Sequence, residues 1–159
     1  MNHKILSHNF SQTIDLGERI SRELKAGDIL CLYGDLGSGK TTFVKGLAKG
    51  LGINPRKVNS PTFVLMNIYE GKVPIYHFDF YRLGNTAEIS AIGYDEFLYG
   101  HGVSVIEWAE RFGGLAPKEN LHLRFTHQGE DQRLIEIVPA GKRYEQMLEK
   151  MKIDENSRH

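Results

Sequence analysis

The stretch ILCLYGDLGSGKTTF, Ile29 to Phe43, constrains the fold of this chain more than any other. Five apolar, β-prone residues run into three glycines and then into a helical face of Val44, Leu47, Ala48 and Leu51. A strand buried on both faces reads this way, and so does the sharp turn that follows it, where the backbone approaches a ligand with no Cβ in between. The turn fits G-x-x-x-x-G-K-[ST] without substitution, at Gly34, Gly39, Lys40 and Thr41. Successive amides and the positive end of a helix beginning near Lys40 make a nest for a polyphosphate, with Lys40 at the β/γ oxygens and the Thr41 hydroxyl toward Mg²⁺. A glycine-rich turn that fits by chance needs neither the strand before it nor the apolar helix after it, and both are present.

At 159 residues and 40% apolar content, the chain is the size of one ordinary domain. We expect that domain over residues 1–153, with 154–159 frayed at the end. Lys plus Arg and Asp plus Glu balance at 20 each, so no overall field draws the protein to nucleic acid. The segment MNHKILSHNF has no signal-peptide pattern, and no apolar run approaches the roughly 20 residues that span a bilayer. The expectation is a cytoplasmic protein with no membrane association. Cys31, the single cysteine, falls inside the buried strand and reads as a packed, inert thiol. The seven histidines show no ligand spacing with cysteine or aspartate, so no zinc site is expected.

Along the chain, His3 to Asn9 alternates weakly as a short strand, and Ser11 reads as the N-cap of a helix ending at Ala26-Gly27. Its apolar face is Thr13, Leu16, Gly17, Ile20 and Leu24. The helix after the glycine-rich turn stops at Gly50-Leu51-Gly52. Thr62 to Tyr69 and Val73 to Tyr81 read as a hairpin around Glu70-Gly71-Lys72, followed by a helical region from Asn85 to Leu98. Val103 to Ile106 is a further buried strand ending on Glu107. Asn120 to Thr126 and Arg133 to Val138 form a second hairpin, and Tyr144, Met147, Leu148 and Met151 line a last amphipathic helix. The fold class is α/β of the P-loop NTPase type: one domain with a mostly parallel central sheet flanked by helices, plus antiparallel hairpins.

A phosphate loop needs an acid to hold or orient metal-bound water, and open α/β sheets place such groups at the carboxyl ends of their strands. Two acids qualify. In VPIYHFDFYR the period of two sets His77, Asp79 and Tyr81 on one face and Phe78 and Phe80 on the other; in VSVIEW, Glu107 closes the apolar run. Glu107 is the first choice as metal ligand and Asp79 as the acid that orients water, and either reads equally well as a structural acid. Trp108, the only tryptophan, reads first as core or a strand cap. Lys45, Lys49, Arg56 and Lys57 read as a solvated face.

Taken together, GDLGSGKTT, SPTF, HFDFYR and IEWAE, in this order and in so short a chain, resemble the bacterial TsaE (YjeE) family of small ATPases. The resemblance covers most of the chain, and the three motifs beyond the glycine-rich loop make it specific. It implies an Mg²⁺-dependent ATPase of tRNA threonylcarbamoyladenosine biosynthesis that works with the TsaB and TsaD proteins; because no arginine is placed by the sequence to deliver charge to the γ-phosphate, hydrolysis is expected to be slow alone and to rise with those partners. With them it would support threonylcarbamoyl transfer to adenosine 37 of tRNA. By position it implies ATP contacts from Gly34, Asp35, Leu36, Gly37, Ser38, Gly39, Lys40, Thr41 and Thr42, with Gly37 to Thr42 as the phosphate cradle. Thr41 and Glu107 become the magnesium ligands and Asp79 the essential acid, with Lys40 alongside them in catalysis. Ser60, Pro61, Thr62 and Phe63 become a switch-like loop; Ser11 and Thr13 lie near adenine, and Arg133 is a basic residue of the late hairpin. Arg82 and Trp108 are further candidates for the switch or a partner. Ile106 stands where many ATPases carry a second acid before the glutamate. A small-metabolite kinase shares the loop and the chain length, but Arg111, Arg124 and Arg133 are too scattered for one lid. A GTP switch is disfavoured by the lack of an Asn-Lys-x-Asp segment.

Overall fold

Ile29, Leu30, Cys31 and Leu32 alternate between the two faces of a strand, and all four are fully buried. A strand with apolar residues on both sides needs cover on both, and it takes the centre of the sheet. The computed structural model describes residues 2–35, 37–59, 66–80, 87, 93–109 and 117–151. Within these, the strands are β1 (His3–Ser7), β2 (Ile29–Tyr33), β3 (Met66–Tyr69), β4 (Ile75–Asp79), β5 (Val103–Glu107), β6 (Asn120–His127) and β7 (Arg133–Ala140). The helices are α1 (Phe10–Ser21), α2 (Lys40–Gly50) and α3 (Lys142–Met151), with single 3-10 turns at Pro55–Lys57 and Tyr94–Glu96.

The strands form one sheet in the order β1-β7-β6-β2-β5-β4-β3. Its middle, β6-β2-β5-β4, is parallel, while β7, β1 and β3 pair antiparallel at the two sides. This is the mixed α/β architecture expected from the sequence. Both hairpins form, β3 with β4 and β6 with β7. The Ser60 to Phe63 segment, Leu36, Arg82, half of the Asn85 to Leu98 region and residues 152–159 lie outside the described residues.

Leu16 and Ile20 of α1 and Phe43, Val44 and Leu47 of α2 share one apolar cluster with Leu30, Leu32, Val105 and Leu123 of the sheet. The opposite face carries Ile29, Cys31, Phe78, Phe80 and Ile106. Two details differ from the sequence reading. Helix α1 is capped by Asn9, whose side chain accepts from the Gln12 N–H, and not by Ser11. Asparagine and serine cap about equally well, so the choice falls to the strand before it: the Ser7 hydroxyl bonds the Asn9 carbonyl and fixes where the helix starts. The helix also ends at Ser21, a turn before Ala26-Gly27, because Glu23 and Leu24 bond back to the Ile20 and Ser21 carbonyls and tighten the chain. At the end of α2 the expected glycine stop is Gly52, at φ +78°, with the Ile53 N–H on the Ala48 carbonyl.

Helices α1 and α2 touch backbone to backbone. A Cβ on Gly46 would stand 2.1 Å from the Ile14 carbonyl oxygen, and one on Gly17 2.4 Å from that of Phe43. By helix propensity alone Gly46→Ala would gain about 1 kcal/mol. We expect instead a loss of roughly 1–3 kcal/mol from overpacking, or about 2–12 °C in melting temperature for a domain of this size. A raised melting temperature would show that the helices are not locked together. Burial pushes the Cys31 thiol up to about 12. Its stabilising effect is complete below about pH 9 and is lost as pH rises toward about 12. A thiol reagent at pH 8 should therefore modify Cys31 only as fast as the protein unfolds; rapid labelling of the native protein would contradict this.

Candidate functional site

Because β2 and β5 run parallel and pair Leu32 with Glu107, the end of β5 arrives beside the glycine-rich loop that leaves β2. The loop turns on Gly34, at φ +142°, where a Cβ would stand 2.6 Å from the Phe125 carbonyl oxygen and 2.7 Å from the Ser38 hydroxyl. Gly37 and Gly39 also have positive φ, and Gly39 caps α2 with its carbonyl accepting from the Phe43 N–H. From this turn Lys40 reaches back to donate to the Gly34 carbonyl, and its ammonium lies 4.0 Å from the centroid of the Trp108 ring. Such a cation–π contact is worth about 0.5–2 kcal/mol. Trp108 is held at φ +58°, a conformation uncommon for a bulky residue, and it turns the chain sharply after Glu107.

A cavity of about 350 Å³ opens here, lined by Gly37, Ser38, Gly39, Lys40, Thr41, Thr42, Glu107, Trp108, Phe10 and Arg133. The Thr41 hydroxyl donates to Glu107 Oε2 at 3.4 Å, and the same oxygen lies in hydrogen-bond contact with His77 Nε2 at 2.5 Å. His77 Nδ1 lies 2.9 Å from the Tyr69 hydroxyl. Burial, the largest cause, pushes the Tyr69 phenol up, with the Glu107 charge acting the same way, so it sits there as a neutral hydroxyl. Asp79 is buried opposite Glu107 in the β4–β5 register, but it does not line the cavity.

Arg133, at the start of β7, donates from its NH2 group to the Gly37 carbonyl at 3.1 Å and from NH1 to the Glu130 and Gln132 carbonyls. Its late-hairpin position therefore closes onto the loop. Ser11 and Thr13 do not reach the cavity; the Thr13 hydroxyl is buried against that of Ser7 at 2.7 Å. The first residue of α1, Phe10, lines the cavity and is 58% exposed. Its signal in the sequence was a bulky apolar residue at a helix start, off the apolar face. Gly34 and Asp35 border a separate depression with Arg124, Phe125, Thr126 and His127.

The donors fit a polyphosphate with a hard cation. Among the described residues the Ser38 hydroxyl is buried in the loop with no partner, and Thr41 and Glu107 offer a hydroxyl and a carboxylate side by side. Mg²⁺ typically takes one or two such protein oxygens and completes its shell with phosphates and water. Among the described residues no three His, Cys, Asp or Glu side chains gather into a cage made of protein alone.

The sequence profile of the family described as "Threonylcarbamoyl adenosine biosynthesis protein TsaE" matches residues 7–135. The chain belongs to the TsaE family. A TsaE of Bacillus subtilis (strain 168), described as a tRNA threonylcarbamoyladenosine biosynthesis protein, is 44% identical over 133 residues, covering 83% of this chain and 82% of its own. The Treponema pallidum TsaE is 38% identical over 135 residues, 85% of this chain and 99% of its own. The crystal structure of Bacillus subtilis YdiB superposes with a TM-score of 0.80 at 35% identity, over 96% of this chain and 95% of that one. The TsaE family match takes in the whole glycine-rich loop, the β4 and β5 acids and Arg133.

Trp108 reports the Lys40 contact directly, since the chain has no other indole. Lys40→Met removes the cation from the ring face, so the tryptophan emission of the free protein should change in wavelength or yield. An identical spectrum would mean that the ammonium is not over the ring.

Proposed function

We propose that this chain is an Mg²⁺-dependent ATP hydrolase acting as a nucleotide-driven switch on the TsaB and TsaD proteins. In that role it supports threonylcarbamoyl transfer to adenosine 37 of tRNA. Membership in the TsaE family carries the coarse part, a role in tRNA threonylcarbamoyladenosine biosynthesis. The finer part rests on one observation above all: the Thr41 hydroxyl and the Glu107 carboxylate meet at 3.4 Å at the start of α2, in the cavity that Lys40 also lines.

In this reading the loop amides and the Ser38 hydroxyl bind phosphate oxygens, and Lys40 exchanges its carbonyl partner for the β/γ oxygens. Thr41 and Glu107 hold Mg²⁺, which when bound neutralises charge developing on the transferred phosphoryl group. The exposed ring of Phe10 offers a face on which a base can stack. Asp79, buried opposite Glu107 at the end of β4, is the acid that orients water from behind the metal site.

Slow turnover alone follows from the arginines. Positive charge delivered to the γ-phosphate is worth about 10³ to 10⁵ in rate. Among the described residues Arg133 is the arginine that lines the cavity, and three backbone carbonyls hold its NH1 and NH2 groups while its buried Nε has no partner among those residues. A partner that supplies or releases an arginine would supply the missing factor.

Lys40→Ala should weaken Mg-ATP binding or abolish hydrolysis in a domain that still folds. Saturation of the parent at about a hundred times the dissociation constant should add about 2.7 kcal/mol of stability. Adding Mg-ATP should change the Trp108 fluorescence, and Glu107→Ala should lose the Mg²⁺ dependence of that response; an unaltered titration moves the metal to Asp79. Phosphate release should be slow alone and rise when TsaB and TsaD are added. Turnover above about 10 per second alone, the median for enzymes, with no response to partners, would favour a small-metabolite kinase or a free-standing ATPase.

A further inference from the structure

A continuous chain of hydrogen bonds crosses the β3-β4-β5 side of the sheet, and the proposed function uses only its last member. It begins at the backbone of Asn59, the residue before the Ser60 to Phe63 segment. The Tyr69 hydroxyl donates to the Asn59 carbonyl at 2.8 Å and accepts from the Asn59 N–H at 3.2 Å. It also contacts His77 Nδ1 at 2.9 Å, and His77 Nε2 reaches Glu107 Oε2 at 2.5 Å. Glu107 in turn accepts from Thr41. The Asn67 side chain braces the start of the chain, donating to the Asn59 carbonyl and to the Tyr69 hydroxyl at 3.4 Å each.

His77 is wholly buried, and Tyr69 and Glu107 are 4% and 3% exposed. Buried polar networks of this kind at best roughly break even against apolar residues of the same shape, but they fix relative positions firmly. The register explains why the groups meet: Tyr69 pairs with Ile75 and His77 lies two residues along the same face, while Asp79 pairs with Glu107. The phenol proton goes to the Asn59 carbonyl, so the Asn59 backbone fixes the Tyr69 oxygen that stands 2.9 Å from His77 Nδ1, and His77 in turn stands against Glu107.

We propose that Tyr69 and His77 are positioning residues that hold the Glu107 carboxylate toward Thr41 and tie its orientation to the Asn59 backbone. Cation binding at Thr41 and Glu107 is thereby coupled to the placement of the connector at Asn59. The proposal rests on the divalent-cation reading above. Coupling of this kind is reciprocal: whatever factor Mg²⁺ adds to the protection of Asn59, the pinning of Asn59 adds to the affinity for Mg²⁺.

The test compares the parent protein with Tyr69→Phe, which keeps the ring and removes the hydroxyl, and His77→Gln, which keeps a donor toward Glu107 and breaks the link to Tyr69. Two quantities are read: the Mg²⁺ concentration that half-saturates the Trp108 response at fixed ATP, and hydrogen exchange of the Asn59 amide with ATP in Mg²⁺ or in EDTA. The parent should protect Asn59 more strongly in Mg²⁺. Tyr69→Phe should need about 5–150-fold more Mg²⁺, the usual range of such couplings, and lose the difference at Asn59, while its ATP affinity in EDTA stays within about twofold. His77→Gln should recover much of the Mg²⁺ affinity without recovering the difference at Asn59. If Tyr69→Phe does not fold, His77→Gln decides alone, and Mg²⁺-dependent protection of Asn59 in that variant overturns the relay. Parent-like titrations and exchange in both variants reduce the chain to a structural role. A parent that binds ATP with no dependence on Mg²⁺ overturns the cation reading itself, and the coupling with it.

Discussion

The Glu107 carboxylate is the contact on which the arrangement of the site depends. It stands at the carboxyl end of a fully buried strand and joins α2 through Thr41 to β4 through His77. Removing one partner leaves the other buried and short of a hydrogen bond, which typically costs about 1–3 kcal/mol. The parallel pairing of β2, β5 and β4 therefore does more than close the core: it brings the glycine-rich loop, Glu107 and Asp79 to the same carboxyl end of the strands. That end is where open α/β sheets bind their ligands.

The loop and the acid at the strand end were legible because both signals are local. G-x-x-x-x-G-K-[ST] needs only a strand before it and a helix after it, and VSVIE shows its own burial in five residues. The two hairpins were equally open to reading, since each depends on a short polar turn between β-rich runs. The partners of Glu107 were not. His77 could be placed on the same strand face as Asp79 by its period of two, but its bonds to Tyr69 and Glu107 depend on strand order, which no window of sequence contains.

The same limit explains the start of α1. Ser11 and Asn9 have nearly equal capping strength, so propensity could not choose between them. The choice came from the Ser7 hydroxyl on the Asn9 carbonyl and the Ser7–Thr13 contact, which depend on β1 being paired. Starting the helix one residue before Ser11 puts Phe10 on the cavity rim and turns Thr13 into the core.

The antiparallel side of the sheet completes the site for a related reason. Ser7 pairs with Arg133 across β1 and β7, so one register sets both the residue that starts β7 and, three positions beyond Ser7, the residue that starts α1. Arg133 then reaches the Gly37 carbonyl from one side while Phe10 flanks the cavity from the other. A slip of one residue in that pairing would turn every side chain of β1 to the opposite face. It would bury Leu6 in place of Ile5 and move Phe10 away from the loop. The buried Ile5 and Ile135, paired on the core face, hold the register against that slip. An apolar pair outside the glycine-rich loop thus governs the geometry of the cavity wall, just as the β4–β5 register governs the acids on the other side.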